Sequence, residues 1–491
     1  MAQAMSRRVG GQSRAIPVAV VGGALLLTIL ATLMMTSATK LIQAAGTGLV
    51  VLVIGFAATV LHPRFIYGAM GFCLGAIPFG IVPGAGQPIV LILAMAVWIA
   101  VLIHPIAVTR TSPMEITVGV LVITSLISVI ITADGKIHWV EFGKWLIATS
   151  LVFALLRLSH RDLRLFGLTF IYGVGSAATF ALLVFFLDKA GTTMNYLSFI
   201  GYGRTGTIGT HLRFYVLENS TVVRLTGTYV DPNAAGIFLF VGLALATAML
   251  RGWQRLIIGG VILGALIVTL SRSAIFSAVI ALLLFLIFQK VSTTMKLSTI
   301  ALAIVGAAGA MTVPAIYGRI INSFSSSDKG TADRADALVN YLQSMTGSWW
   351  FGKGWGIREF TDEVVGYETN YVANSPLLTI YRGGIFVGIA FIALLIAGAV
   401  LFFRRSRSKP WEVGVLGAAF VGFALVGLQL DFPIVTHAPM TMAFSVLVAF
   451  LVVNPIFAEP DDGQDDGGVG ELPERGPDLA ERKVAVDGRT G

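Results

Sequence analysis

The chain has 491 residues, of which 56% are hydrophobic and only 12% are charged. Soluble globular proteins are roughly 45–50% apolar, so this composition excludes an ordinary soluble protein and favours a membrane protein. The net charge is +8, but residues 459–491 hold ten acidic and four basic side chains, so the rest of the chain carries +14. No soluble basic domain accounts for this excess, and we therefore expect no nucleic-acid partner.

Long apolar runs predict the transmembrane segments, because about 20 apolar residues are needed to cross a bilayer. The first run lacks a convincing cleavage site and follows a basic segment, which predicts a retained span and not a signal peptide. In chain order the runs predict an all-α polytopic membrane protein with about 12–14 transmembrane helices. The candidate spans lie near 16–36, 41–61, 65–82, 89–104, 116–132, 145–158, 165–187, 234–250, 256–270, 274–288, 299–316, 383–403, 413–430 and 439–454.

The short connections between these runs predict the orientation. Every second connection is basic, as expected on the cytoplasmic side, and this places both termini in the cytoplasm. The basic connections hold Arg64; Arg110; Arg157, Arg161 and Arg164; Arg251 and Arg255; Lys290 and Lys296; and Arg404, Arg405, Arg407 and Lys409.

The same pattern divides the chain into segments. Two large extracytoplasmic loops, 188–233 and 317–382, concentrate the chemistry that is possible outside the membrane. The remaining segments are a cytoplasmic basic N-terminus at 1–15, a transmembrane bundle at 16–187, spans at 234–316 that include the Arg272 turn, spans at 383–454, and a disordered acidic cytoplasmic tail at 459–491.

Aromatic residues in the outer turn near Asp134 and Glu141 are typical of a membrane interface. We expect Trp139 and Trp145 to belong to the interfacial aromatic belt and the two acids to be interfacial as well.

Two arginines lie near the predicted extracytoplasmic ends of spans. Arg272 is in the short polar turn 271–273, on the side where Lys and Arg are normally depleted. Arg224 lies shortly before Asp231 and Asn233, which are expected to cap the next helix at its membrane entry. Arginine grips phosphate through two donors, and a helix start attracts anions. We therefore expect the two arginines to converge on an anion, although snorkelling to lipid head groups is the alternative for Arg272.

The end of the second loop contains further candidates. Asn374 follows Ala373, and Arg382 lies directly before the pair Gly383-Gly384, which predicts a kinked entry into the next span. Arg382 and Arg334 join an outer basic set that favours a polyanionic ligand, although each arginine taken singly is more typical of a solvated surface residue. The other members of this set are Arg204, Arg213, Arg319 and Arg358.

Three blocks of this sequence resemble the O-antigen ligase and O-antigen polymerase superfamily of bacterial inner-membrane proteins. They are Arg224-…-Gly227-Thr-Tyr-…-Asp231-Pro-Asn233 before a span, Thr269-Leu-Ser271-Arg272-Ser between spans, and Ala373-Asn374 followed after nine residues by Gly384. The stretch from Arg334 to Gly356 also resembles the family's segment ahead of its glycine turn. The resemblance covers roughly residues 220–395 and the general topology.

The resemblance implies an enzyme that takes a glycan from an undecaprenyl-pyrophosphate carrier and transfers it to an acceptor in the periplasm. It implies that Arg224 and Arg272 hold the pyrophosphate, with Arg334 and Arg382 as further candidates, and that Asn374 belongs to the catalytic region. It also implies a multi-pass protein of the bacterial inner membrane, with membrane lipids as its surroundings. Neutralising a departing pyrophosphate with arginines needs no metal, so we expect no metal and no cofactor.

The sequence departs from the family at one position. Ligases of the family have a His-Asn pair where this chain has Ala373-Asn374, so the expected general base is absent. Glu368 is the carboxylate nearest to Asn374 and the first candidate for this role, although an ordinary loop acid is the simpler interpretation. His211 and His437 could replace the base only if folding brings them close. The missing histidine favours a polymerase, or a transferase with another acceptor, over a lipid A-core ligase.

The acceptor stays open among a glycan, a lipid and a protein. The last would make the chain a protein O-oligosaccharyltransferase. From another class, a lipid-linked glycan flippase is the alternative, although flippases commonly have two related halves and this chain has no visible repeat. An inactive relative with a scaffolding role is a further alternative.

Overall fold

The computed structural model describes residues 55, 59–83, 87–104, 111–188, 192–203, 206, 213–217, 220–312, 317–318, 341–342, 344–356, 361–362, 367–368, 374–406, 411–427 and 437–453. For 213–217, 220–222, 307, 310, 361–362 and 367–368 it describes the backbone alone. Several predictions lie outside the described residues: the span at 16–36, most of the span at 41–61, Arg334 and the acidic tail.

The described residues form thirteen α-helices. They are α1 (Pro63–Ala76), α2 (Ile89–Ile103), α3 (Pro113–Thr132), α4 (Lys136–Leu156), α5 (His160–Leu187), α6 (Pro232–Met249), α7 (Gly252–Val268), α8 (Arg272–Phe288), α9 (Thr293–Met311), α10 (Ser375–Gly383), α11 (Ile385–Ser406), α12 (Trp411–Gly427) and α13 (Ala438–Val452).

Most of these helices coincide with the predicted spans, with two differences. Helix α4 begins at Lys136 and not near 145. The residues from 136 to 144 were expected to form a polar loop, but they are helical and His138 among them is buried. Helix α10 is a separate short helix that ends at Gly383, directly before α11.

The described part of the chain is consistent with an all-α membrane protein. Five described helices, α3, α4, α5, α6 and α11, are long and apolar enough to cross a membrane, and six further apolar stretches are shorter. Large apolar side chains on α3 face outward, among them Ile123 and Ile130 at 59% and 60% exposure. Such a surface suits lipid and would be unfavourable in water.

Helix α6 is the central helix. Of its most apolar stretch, 83% is buried, as expected for a helix that is hydrophobic on all sides. Helices α5, α7, α8, α12 and α13 all pack against it. The first turn of α6 is therefore held from several directions.

Helices α1 and α5 approach closely through glycines. A Cβ atom on Gly71 or Gly75 of α1 would lie 2.5 Å from a backbone oxygen of α5, and one on Gly173 of α5 would lie 2.4 Å from the Phe72 oxygen. Small residues allow this close backbone contact between membrane helices. It fixes the end of α1, which supports the site described below.

Successive helices from α5 to α8 run in alternating directions. The end of α5, the start of α6, the end of α7 and the start of α8 therefore lie at one end of the bundle, which we call the loop end. Two antiparallel strand pairs belong to the connecting segments: β1 (Arg213–Leu217) with β2 (Ser220–Arg224), and β3 (Thr361–Asp362) with β4 (Tyr367–Glu368). Strand β2 leads into the loop end, since the Leu225 amide donates to the Val268 carbonyl at 3.3 Å.

Candidate functional site

The start of α6 is capped by a carboxylate. Asp231 is the N-cap residue, and its Oδ1 accepts hydrogen bonds from the amides of Asn233 at 2.7 Å and Ala234 at 3.3 Å. Pro232 occupies the first helical position, where a missing N–H costs nothing. The side chain of Asn233, which the sequence predicted as a second cap, makes different contacts.

Arg224 is held by two acceptors from two segments. Its Nε donates to the Thr269 carbonyl at 3.0 Å, and its Nη2 donates to Oδ1 of Asn233 at 3.0 Å. The same Asn233 oxygen accepts from the Ser271 hydroxyl at 3.2 Å. Asn233 therefore joins Arg224 to the turn between α7 and α8, and the orientation of the Arg224 guanidinium is fixed.

Arg272 is the first residue of α8 and is half-buried. Ser271, directly before it, is fully buried, and its hydroxyl lies 3.0 Å from that of Ser273. Close packing holds this turn against α6, because a Cβ on Gly236 would lie 2.6 Å from Cβ of Ala274. The structure thus brings the two predicted arginine segments into contact.

We call Arg224, Asn233, Thr269, Ser271 and Arg272 the helix-start cluster. It lies where α6 and α8 both begin, so the positive ends of two helix dipoles meet beside the Arg224 guanidinium, and Arg272 is the first residue of α8. Such an arrangement favours an anion, and the planar guanidinium is suited to phosphate.

Strained backbone lies both beside this cluster and within it. Val230 has φ 67° and ψ −45°, and the Asp231 amide donates to the Tyr229 carbonyl at 2.7 Å across it, which is a γ-turn of the rare positive-φ form. Leu270, between Thr269 and Ser271, has φ 52°. Residues held in such regions cost about 1–3 kcal/mol each and concentrate at functional sites.

Buried hydrogen bonds maintain the strained turn at Val230. The Tyr229 hydroxyl donates to the Gly75 carbonyl at 2.9 Å, and the Thr228 hydroxyl donates to the Ala76 carbonyl at 2.7 Å. Burial raises the pKa of Tyr229 well above its usual value, so this hydroxyl stays protonated and remains a donor. The end of α1 is therefore a support for the turn that leads into α6.

Asn374 is the N-cap residue of α10. Its Oδ1 accepts from the Leu377 amide at 3.0 Å. The start of α10 lies on the same side of the bundle as the start of α8, because α12 packs against both helices. Gly422 of α12 packs on Ser277 of α8, and a Cβ on Gly427, five residues further towards the loop end, would lie 3.8 Å from Oγ of Ser375.

Arg382 lies in the last turn of α10 and is only 9% exposed. A glycine turn from the second predicted loop encloses it, since the Gly354 amide donates to the Arg382 carbonyl at 3.0 Å and the Lys353 amide donates to the Tyr381 carbonyl at 2.7 Å. Gly384 follows with φ 84°, and a Cβ there would lie 2.1 Å from the Trp350 carbonyl oxygen. The glycines let this turn satisfy the carbonyls at the end of α10.

His138 is a residue that the sequence interpretation missed. It is buried, and its Nδ1 accepts from the Gly356 amide at 3.1 Å while its Nε2 lies 2.9 Å from the carboxylate of Asp134. The backbone amide can only donate, so the ring proton is on Nε2 and points to Asp134. Both ring nitrogens are engaged, which makes His138 a support for the glycine turn. Its spacing of four residues from Asp134 was the only signal in the sequence.

The prediction that Trp145 lies in the interfacial aromatic belt is wrong, because the glycine turn covers this residue. Trp139 is 47% exposed, but Trp145 is 4% exposed and packs with its ring centroid 4.5 Å from that of Trp355. Trp145 is therefore a core residue and not part of an aromatic belt.

The remaining predicted residues are placed only in part. Glu368 lies in β4 opposite Thr361, where the structure describes the backbone alone. Arg334 and His211 lie outside the described residues, and His437 precedes α13, with its ring centroid 6.3 Å from that of Phe79. In the part of the chain that the structure describes, no three His, Cys, Asp or Glu side chains come together as a metal site would require.

Compared with models of protein families and with curated proteins, the sequence matches none.

Proposed function

We propose that the chain is a membrane glycosyltransferase that polymerises or ligates undecaprenyl-pyrophosphate-linked glycans for surface polysaccharide biosynthesis. It would be a multi-pass protein of the bacterial inner membrane, with about 12–14 spans, both termini in the cytoplasm and the loop end in the periplasm. One observation supports this function above the others: Arg224 and Asn233 from the first resembling block contact Thr269 and Ser271 from the second.

The helix-start cluster would bind the pyrophosphate of the donor. The oxygen of an acceptor hydroxyl would attack the anomeric carbon of the glycan, and the bond from that carbon to the pyrophosphate oxygen would break. The pyrophosphate would leave with the bonding electron pair, and Arg224 and Arg272 would stabilise its developing negative charge. Preoriented donors of this kind lower a barrier without reorganising during the reaction. Asn233 and the Thr269 carbonyl would hold Arg224 in this orientation.

The acceptor hydroxyl would lose its proton to a base from the second large loop. Glu368 is the proposed base, because it is the carboxylate nearest in sequence to Asn374. Asn374, through its cap on α10, would position the start of that helix beside the acceptor. Arg382 and Arg334 are proposed as further contacts to the donor phosphates. Ala373, in place of the histidine of ligases, favours a second glycan chain as the acceptor and hence a polymerase.

The test is a transfer assay with the purified protein, undecaprenyl-pyrophosphate oligosaccharide and EDTA. Lengthening of the lipid-linked chains is expected, and Arg272→Ala should abolish it while the protein remains folded in detergent. Arg161→Ala, which changes an exposed arginine at the opposite end of the bundle, is the matched control and should keep full activity.

Other outcomes separate the alternatives. Transfer only to an added lipid or protein acceptor would indicate a ligase or a protein O-oligosaccharyltransferase. Full chain lengthening by Arg272→Ala would overturn the role of the cluster. Movement of the carrier across proteoliposomes without any transfer would overturn the enzyme and indicate a flippase.

A further inference from the structure

A short 3-10 helix, Thr193–Ile200, follows α5 and has two different faces. One face is buried: Met194 and Ile200 are 6% and 7% exposed. The other face holds Tyr196 and Phe199, which are 83% and 66% exposed. Two aromatic side chains on the open face of one short helix are unusual for a surface that faces only water.

The end of α5, directly before this element, also has exposed apolar side chains. Near the end of α5, Leu183, Phe186 and Leu187 are 53%, 64% and 79% exposed. Helix α5 has 28 residues, which at 1.5 Å each span about 42 Å and exceed the hydrocarbon core of about 30 Å. The charged residues of α5 are at its start, and its apolar part, 165–187, spans about 34 Å. Asp188 and the 3-10 helix that follows it are therefore expected at the level of the lipid head groups.

Asp188 connects the two helices. Its carboxylate accepts from the Thr193 amide, at the start of the 3-10 helix, and from the Thr192 hydroxyl at 3.2 Å. These hydrogen bonds, the one from Thr193 first, hold the pKa of Asp188 well below its usual value. Asp188 thus stays ionised at neutral pH and fixes the 3-10 helix at the end of α5.

The buried face connects the 3-10 helix to the start of α6. Met194, Ile200 and the fully buried Tyr202 form a small core, against which Val230 packs. The Ile200 carbonyl also accepts from the Ile81 amide at 2.9 Å. One side of the element therefore contacts the strained turn beside Asp231, while the other side is open.

We infer that the 3-10 helix Thr193–Ile200 is an interfacial anchor that inserts Tyr196 and Phe199 into the lipid leaflet at the loop end. The partner is the bilayer surface, because the 3-10 helix is fixed through Asp188 to the end of α5, where large apolar side chains are also exposed. Tyr is favoured at that depth because its apolar ring and its hydroxyl are both accommodated, and Phe is typical of the membrane-buried face of interfacial helices. The inference does not depend on the proposed enzyme.

The chain contains a single cysteine, Cys73, which allows a clean labelling experiment. In a Cys73→Ala background, nitroxide labels at Phe199→Cys or Tyr196→Cys are compared in liposomes for collision with oxygen and with a water-soluble nickel chelate. Leu183→Cys on α5 is the lipid-facing control, and Lys136→Cys, at the exposed first residue of α4, is the aqueous control.

The labels at 196 and 199 should favour oxygen over nickel, with a ratio closer to that at 183 than to that at 136. A ratio equal to that at 136 would overturn the anchor. Spin–spin broadening between copies that persists on dilution with lipid would also overturn it, and would indicate contact between two chains. If a cysteine variant fails to fold, Phe199→Trp read by quenching with brominated lipids gives the same test: the added emission, taken as the difference from the unsubstituted protein with its eight tryptophans, should be quenched, and a difference that is not quenched refutes the anchor.

Discussion

An alanine at Gly236 tests whether the packing of α6 on α8 positions the helix-start cluster. The new Cβ would lie 2.6 Å from Cβ of Ala274, and 2.9 Å from Cβ and 3.0 Å from Oγ of Ser271. Ordinary carbon–carbon contact needs about 3.5–4.0 Å. The two helix starts must therefore separate by about 1 Å.

A separation of this size breaks a contact in the cluster. The hydrogen bond from Ser271 to Asn233 is 3.2 Å long, and at about 4 Å it no longer exists. Overpacking of this kind costs about 1–3 kcal/mol. We expect Gly236→Ala to lower the free energy of unfolding by this amount and to speed amide hydrogen exchange in the first turn of α8.

The measurement is thermal unfolding in detergent together with hydrogen exchange. Gly264→Ala on α7 is the matched control, because a Cβ at this helical glycine meets nothing within 4 Å. The control should gain up to about 1 kcal/mol from helix propensity. If Gly236→Ala and Gly264→Ala behave alike in both measurements, the close packing of α6 on α8 does not position the cluster.

Three further predictions follow from described contacts. Arg224→Lys cannot donate to Thr269 and Asn233 in two directions as the guanidinium does. One charge-assisted hydrogen bond, of about 1.5–3 kcal/mol, is lost, and the proposed transfer rate should fall about 10- to 100-fold. Gly384→Ala places a Cβ 2.1 Å from the Trp350 carbonyl oxygen at a positive φ, so the glycine turn should detach and the total tryptophan emission, to which buried Trp355 contributes, should shift to the red. The pKa of Asp188 is lowered in the folded state. The ionised carboxylate therefore stabilises the attachment of the 3-10 helix at pH values above the unfolded pKa of about 3.9, and this stabilisation is lost as pH falls further towards the folded pKa. The mobility of a label at Phe199 should therefore stay constant from about pH 8 to 5 and increase only under strongly acidic conditions.

Each of these predictions has a control. Arg161→Lys should leave the transfer rate unchanged, and equal losses in both lysine variants would contradict a special role for Arg224. Gly135→Ala, at a glycine with negative φ and open space, should leave Trp fluorescence unchanged. Asp188→Asn should mobilise the label at every pH, and a mobility change centred near pH 6 would show that another group is responsible.

The sequence predicted the helices and one contact well. The apolar runs located most helices, and the segments that contain Arg224 and Arg272 are in contact, while the convergence of the two arginines on an anion stays a prediction. The helix positions follow from the apolar runs, and the contact between the two segments follows from the alternating direction of successive helices. The sequence does not reveal that Asn233 joins these segments, because its cap-like position before a helix predicts a local role.

Long-range side-chain geometry was beyond the sequence. His138 supports Gly356 across more than two hundred positions, and nothing near either residue indicates the other. Tryptophan is a residue type typical of the membrane interface, but Trp145 is buried because Trp355 from a distant segment packs on it. Side-chain burial in a bundle depends on which loop returns over which helix, and periodicity does not encode this.

The anchoring of the Val230 turn has a consequence for biosynthesis. Tyr229 forms a hydrogen bond with Gly75, 154 positions earlier in the chain. Thr269 and Ser271, which bond Arg224 and Asn233, are synthesised later than those two residues. A nascent chain therefore meets its first support early and its last one only when α8 enters the bilayer. Until the end of α7 has been synthesised, Arg224 lacks the Thr269 carbonyl and has only Asn233 of the two acceptors described above, so the combined length of α6 and α7 sets how long this charged side chain lacks that acceptor during membrane insertion.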